Sequence, residues 1–161
     1  MAPLYLAYTS RINPSGASPV LTVPQVWQGL QRKIRFAQEF VKIIESCDVL
    51  SEKDGVVERF VKFQAGLGPK DSAKETVVSF EPAWVDFRQE DGTTIRNVVS
   101  DGPSGQPEDL HMTYIFEFNL PDLPEAEREA KEKQLKGMAK MAVESSITVI
   151  REMVVDGRIQ S

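Results

Sequence analysis

Residues 124–156, PEAEREAKEKQLKGMAKMAVESSITVIREMVVD, read as one long helix, and what that helix buries against decides the fold. With Leu135 at zero and about 100° per residue, Met138, Ala139, Ala142, Val143, Ser146, Ile147, Val149, Ile150, Met153 and Val154 fall on one half of the cylinder. Lys133, Lys140, Glu144 and Arg151 fall opposite. Before Leu135 the run EAEREAKEK is nearly all charge and alanine, so only the later turns carry an apolar stripe. Asp122, with Glu125 three residues on, has the pattern of a helix start, and Gly157 supplies a left-handed stop.

The chain before this helix has a different period. Apolar and polar residues alternate over Leu4 to Ile12 and again over Ile43 to Ser51, Val56 to Gln64, Glu75 to Phe80, Ala83 to Gln89, Thr94 to Asp101 and Leu110 to Leu120. The breaks between the last six segments are mostly short, which predicts antiparallel hairpins, because parallel crossovers need more chain. Between the first and second segments, Thr22 as N-cap and Gln25 at N3 open a helix whose stripe is Val23, Val26, Trp27, Leu30 and Ile34. A second short helical turn is expected over Phe36 to Val41. The resulting class is α+β: a seven-stranded antiparallel sheet wrapped around a long C-terminal helix, with two short helices after the first strand. One helix about 10 Å wide cannot fill the hollow of such a twisted sheet. A cavity of several hundred Å³, the size of a small-molecule site, is expected between them.

At 161 residues the chain reads as a single ligand-binding domain over 1–161. A formal charge of −5, with no cluster of Lys and Arg, excludes nucleic acid as a partner. Cys47 is the only cysteine, so no intrachain disulfide forms and a cytoplasmic location is expected. No apolar run approaches the length of a membrane span, and the N-terminal residues lack the pattern of a signal peptide. His111 is the only histidine and alternates onto the face of Thr113 and Glu117, away from the apolar set, so no metal and no cofactor are expected. Cys47, beside Ser46 and Asp48, has no basic neighbour in sequence to activate it. Gly66-Leu67-Gly68-Pro69 and Gly102-Pro103-Ser104-Gly105 are turn chemistry and not phosphate loops.

Four pieces of sequence resemble the AtaL-like family, named after a member encoded in an acetylaranotin biosynthesis cluster. They are Ile12-Asn13-Pro14 followed by Leu21-Thr22-x-x-Gln25-Val26-Trp27-x-Gly29-Leu30; Arg59-x-Val61-x-Phe63; Asn97-Val98-Val99-Ser100; and Thr113-Tyr114-Ile115-Phe116-Glu117-Phe118 with Thr148-Val149-Ile150-Arg151. His111-Met112 departs from the pattern, which favours an apolar residue before Thr113. The resemblance implies the helix-grip fold of the START, or SRPBCC, superfamily, which includes lipid-transfer domains and many aromatase/cyclases. It implies a place in secondary metabolism, but no common catalytic motif.

The residues that stand out chemically are polar ones set inside apolar alternations. Asn97 lies between Ile95 and Val99, Arg59 between Val57 and Val61, and Ser146 within the helix stripe. Each needs a hydrogen-bond partner, because an unpartnered buried polar group costs about 1–3 kcal/mol. For Ser146 that partner is the carbonyl of Ala142 or a ligand; for Asn97, a bulge, a backbone contact or a ligand. Arg59 needs a carboxylate such as Asp86 or Glu81, a ligand oxygen, or a way out to water. The candidate catalytic donors are Arg59, Asn97 and Tyr114. The candidate ligand-binding walls are Tyr8, Trp27, Phe63, Trp84, Met112, Phe116, Met138, Ala142, Ser146 and Met153, each of which core packing also explains. Two readings stay open, beside a purely structural protein whose hollow is filled by side chains. One is a cofactor-independent cyclase, isomerase or dehydratase acting on a hydrophobic, oxygenated intermediate. The other is a non-catalytic binding or carrier protein for a hydrophobic metabolite. In both the partner is a hydrophobic small molecule, and a homodimer stays open.

Overall fold

The computed structural model describes residues 2–68 and 70–160; Met1, Pro69 of the Gly66–Pro69 turn and Ser161 lie outside them. Strand β1 (Ala2–Arg11) is followed by helix α1 (Val23–Arg35) and six strands: β2 (Ile44–Lys53), β3 (Val56–Phe63), β4 (Ser72–Phe80), β5 (Trp84–Gln89), β6 (Thr94–Asp101) and β7 (Leu110–Leu120). Helix α2 (Glu125–Asp156) ends the order. The seven strands form one sheet in the order β1-β7-β6-β5-β4-β3-β2. Every neighbouring pair is antiparallel. This is the helix-grip arrangement that the alternation and the resemblance lead one to expect.

Two local expectations are corrected. The second short helix is a 3-10 turn over Ala37–Glu39, not a helix over Phe36 to Val41. The N-cap of α2 is Pro124 rather than Asp122, and no side chain caps that end. Prolines on both sides of Leu123 favour extended backbone before them, which delays the start of the helix. The expected cap on α1 forms: Thr22 accepts from the Gln25 amide, while the Gln25 side chain accepts from the Thr22 amide. At the other end of α2, Gly157 adopts φ 87° and turns the chain back, so that Ile159 is buried and its amide donates to Met153.

The buried side of α2 is Leu135, Ala139, Ala142, Val143, Ser146, Ile147, Ile150 and Met153. It meets the inward residues of β7, namely Met112, Tyr114, Phe116 and Phe118, and the stripe of α1. Arg151 ties the segment after β1 to α2, donating to the carbonyls of Ile12 and Pro19 and to Oδ1 of Asn13. The helices cross at Gly29, where an added Cβ would lie 2.5 Å from Cγ1 of the fully buried Ile150.

Gly29→Ala is therefore expected to destabilise the protein. In an exposed helix the change gains about 1 kcal/mol of helix propensity. Here overpacking costs roughly 1–3 kcal/mol and outweighs that gain. Urea unfolding at neutral pH reads the sign, and a stabilised variant would show that α1 and α2 pack more loosely than this.

Candidate functional site

Alternation along β3 turns Val57, Arg59, Val61 and Phe63 toward the helices and Glu58 and Lys62 away. The Arg59 guanidinium is buried, and its partner is Glu75 on β4, not Asp86 or Glu81. Asp86 faces the outer side of the sheet with Arg88 and Arg96. Glu75 lies directly across from Arg59 in the strand pairing, which alternation along one strand cannot reveal. Nε and Nη2 of Arg59 donate to Oε1 of Glu75 at 2.9 and 2.7 Å. Nη1 donates to the carbonyls of Lys33 and Ile34 at 3.1 and 2.8 Å. Those carbonyls belong to the last turn of α1, where a cation offsets the negative end of the helix dipole. Cys47 Sγ, 3.7 Å from Nη1, therefore has a basic neighbour in space that it lacks in sequence.

Holding the end of α1 in this way directs Lys33 inward. Its Nζ donates to Oδ1 of Asn97 and to the Tyr114 hydroxyl, both at 2.8 Å. Tyr114 donates in turn to Ser146 at 2.8 Å, and Ser146 to the Ala142 carbonyl at 2.7 Å. Lys33 is 6% exposed and Asn97 0%. Burial holds the Lys33 amine well below the ordinary lysine range, the neighbouring Arg59 charge pushes it the same way, and Glu75 opposes. Burial raises the Tyr114 phenol, against a smaller opposing effect of Ser146, so it stays protonated.

Lys33, Arg59, Glu75, Asn97 and Tyr114 line a cavity between the sheet and α2 together with Val61, Phe63, Phe87, Gln89, Ile95, Phe116, Phe118, Met138 and Ala142. Its enclosed volume is about 70 Å³, not several hundred. That is room for roughly five waters. A groove of about 700 Å³ adjoins it on the surface and shares the walls Val41, Ile43, Met138 and Ala142. Together they form an inner chamber with an apolar mouth between α2 and the start of β2.

Of the proposed donors, Arg59, Asn97 and Tyr114 all reach the cavity, and Asn97 alone among them has a buried donor atom with no partner at all. Its Nδ2 is buried without a hydrogen-bond partner, while the Tyr114 proton is committed to Ser146. Of the proposed walls, Phe63, Phe116, Met138 and Ala142 line the space. Ser146 sits behind Tyr114, and Met112 and Met153 are core residues. Tyr8 lies on the inner face of β1 across from Tyr114 but outside the chamber, its ring half-buried and its hydroxyl donating to Glu144 of α2. Trp27 faces a different surface cleft, and Trp84 stacks on Phe80 outside the chamber while Val85 and Phe87 turn inward. Period-2 alternation distinguishes the two faces of a strand, but not which inward residues border empty space. Lys33 and Gln89 were missed. The signal for Lys33 was its place in Val26, Leu30, Lys33 and Ala37, an apolar helical spacing interrupted by one lysine.

Among the described residues, no group of three His, Cys, Asp or Glu side chains is placed to hold a metal, and no helix is long and apolar enough to cross a membrane. The family model described as AtaL, acetylaranotin biosynthesis cluster protein L, matches residues 6–157. The protein of that name from Aspergillus terreus is 27% identical over 157 residues, covering 96% of this chain and 92% of its own. Among solved structures, the Zhui aromatase/cyclase from Streptomyces sp. R1128 superposes with a TM-score of 0.65 at 12% identity, over 96% of both chains. The di-domain ARO/CYC StfQ of the steffimycin biosynthetic pathway gives 0.71 at 8% identity, over 95% of this chain and 52% of that one. At such identities the structural likeness speaks for the fold alone.

Two stability measurements follow. Arg59→Met should cost about 3–5 kcal/mol by stranding the Glu75 carboxylate, and adding Glu75→Met should recover much of it. Equal losses in the single and double variants would deny the pair. Because the folded state holds Lys33 neutral where the unfolded chain protonates it, stability should rise with pH from the lowered pKa up to the ordinary lysine value near 10.5. The slope from this one group approaches about 1.4 kcal/mol per pH unit. Lys33→Met should remove that component from a pH series of urea unfolding curves.

Proposed function

The chain belongs to the AtaL family, and from that premise we propose that it is a cofactor-free, cyclase-type enzyme of secondary metabolism acting on a hydrophobic, oxygenated intermediate. The observation that carries this reading is the Lys33 amine beside the unpartnered Asn97 amide, both walls of one apolar chamber. Two of the four positions around Nζ hold N–H bonds to Asn97 and Tyr114, and a third is the bond to its own side chain. In the neutral amine the fourth is a lone pair. A substrate carbonyl oxygen accepts from Nδ2 of Asn97, which brings its α-carbon to Lys33. Lys33 takes the α-proton as general base, the C–H electron pair becomes the enolate, and Asn97 stabilises the charge that develops on oxygen. The enolate then closes a ring on a second carbonyl or expels a β-hydroxyl, and the ammonium returns the proton. Tyr114 and Arg59 are positioning residues in this scheme: the first fixes Nζ, and the second fixes the end of α1.

The relative from Aspergillus terreus supports the metabolic setting through its cluster name, and the aromatase/cyclase neighbours support the reaction class. Proton–deuterium exchange at the methyl group of 2-acetylnaphthalene in D2O, followed by NMR, tests the chemistry without the natural substrate. Wild type should accelerate exchange, with a rate that climbs with pH and levels off well below the ordinary lysine range. Lys33→Met should lose roughly a hundredfold or more of that acceleration. Tight binding of the ketone with no exchange above background would replace the enzyme with the carrier reading.

A further inference from the structure

The chamber holds a second orphaned polar atom, remote from Lys33. Gln89 on β5 is buried and lines the cavity, and its Oε1 has no hydrogen-bond partner. The orientation of this amide is forced. Nε2 donates to Oε2 of Glu75 at 2.9 Å, and Glu75, paired with Arg59 through its other oxygen, presents only acceptors. Turning the amide over would set oxygen against carboxylate. Gln89 therefore shows the cavity an acceptor, whereas Asn97, whose Oδ1 is held by Lys33, shows it a donor.

The two groups are well separated. Asn97 pairs with Val85 across β5 and β6. Gln89 is four residues farther along β5 (89 − 85) on the same inward face. Four residues span about 13 Å of strand, and side chains converging on the chamber bring the polar atoms to roughly 10 Å. Phe87 and Ile95, which pair with each other between these ends, form an apolar floor, with Phe116 beside them.

We propose that the ligand is two-ended: a carbonyl at the Asn97 and Lys33 end, a hydroxyl or N–H donor roughly 10 Å away at Gln89, and a flat apolar body of about two fused rings between them. This rests on the reading of the chamber as a small-molecule site and narrows its substrate class. An apolar ligand end at Gln89 leaves a buried acceptor unpaired, and so does a ligand end that carries only an acceptor. The chamber is small, so seating this body between its two polar ends displaces the walls that the chamber shares with the outer groove, Val41, Ile43, Met138 and Ala142.

Fluorescence titration with three probes tests the pattern: 2-acetyl-6-hydroxynaphthalene, which carries both groups, 2-acetylnaphthalene, which lacks the donor, and 2-naphthol, which lacks the carbonyl. Wild type should bind the first about fivefold or more tightly than either of the others, the worth of one satisfied buried hydrogen bond. Gln89→Leu should abolish the preference for the hydroxyl while keeping affinity for 2-acetylnaphthalene, and Asn97→Leu should abolish the preference for the acetyl group. The wild-type comparison decides even if a variant fails to fold. Binding of all three probes with equal affinity would overturn the two-ended ligand and leave the small-molecule site standing. Binding of none would overturn both.

Discussion

The Arg59 guanidinium lies between the Glu75 carboxylate and the terminal carbonyls of α1, and the chemistry of the chamber depends on that contact. Four of its five N–H groups are spent there, two on a carboxylate oxygen and two on the helix end. An ion pair this deeply buried contributes little net stability, because desolvation offsets most of the Coulomb attraction. What it fixes is geometry. It joins β3, β4 and α1 at one point, holds Lys33 in the last turn of that helix against Asn97 and Tyr114, and through Glu75 orients Gln89. The positive charge beside Lys33 also works with burial to keep the amine neutral. One interaction thus positions the base, favours its reactive form and sets the polarity of the far end of the cavity.

The layout of polar groups shows which contacts are structural and which stay open to a ligand. Tyr114 and Ser146 form a chain of donors that ends on the Ala142 carbonyl, so it closes within the protein. Arg59 and Glu75 satisfy each other. Asn97 and Gln89 each use one end of the amide and leave the other unpartnered in the same chamber. Leaving two buried polar atoms unsatisfied is costly in a folded protein, and a ligand that completes them recovers that cost on binding. The apolar rings of Phe87, Phe116 and Phe118 around them lower the local dielectric, which strengthens the electrostatic contacts of the chamber.

The fold was legible because its signals are local and repeated. Alternation across seven segments, the turn residues between them and the long stripe of α2 agree with one another, and the faces of β1, β3 and β7 are those the alternation predicts, whereas Trp84 and Asp86 of β5, expected on the inner face, lie on the outer one. Arg59 and Asn97 were legible as polar breaks in apolar strands for the same reason. The partner of Arg59 was not, since pairing between β3 and β4 depends on register across a loop and not on either strand alone. Lys33 was hidden because a lysine beside an apolar helical stripe ordinarily extends its charge to water, and nothing within α1 says that the sheet closes over it. Trp84 and Tyr8 misled in the opposite direction, being large aromatic residues that suggest a wall: Trp84 lies on the outer face, and Tyr8, though on the inner face of β1, reaches Glu144 at the edge of the sheet and not the chamber.

The central claim is that Lys33 is a neutral amine inside the chamber, and a pH titration of the protein labelled with 13C at lysine Cε measures this by NMR. The account predicts one resonance, absent from Lys33→Arg, that titrates well below 10.5 while the remaining lysines titrate in their ordinary range. A Lys33 resonance that titrates together with the others would contradict it.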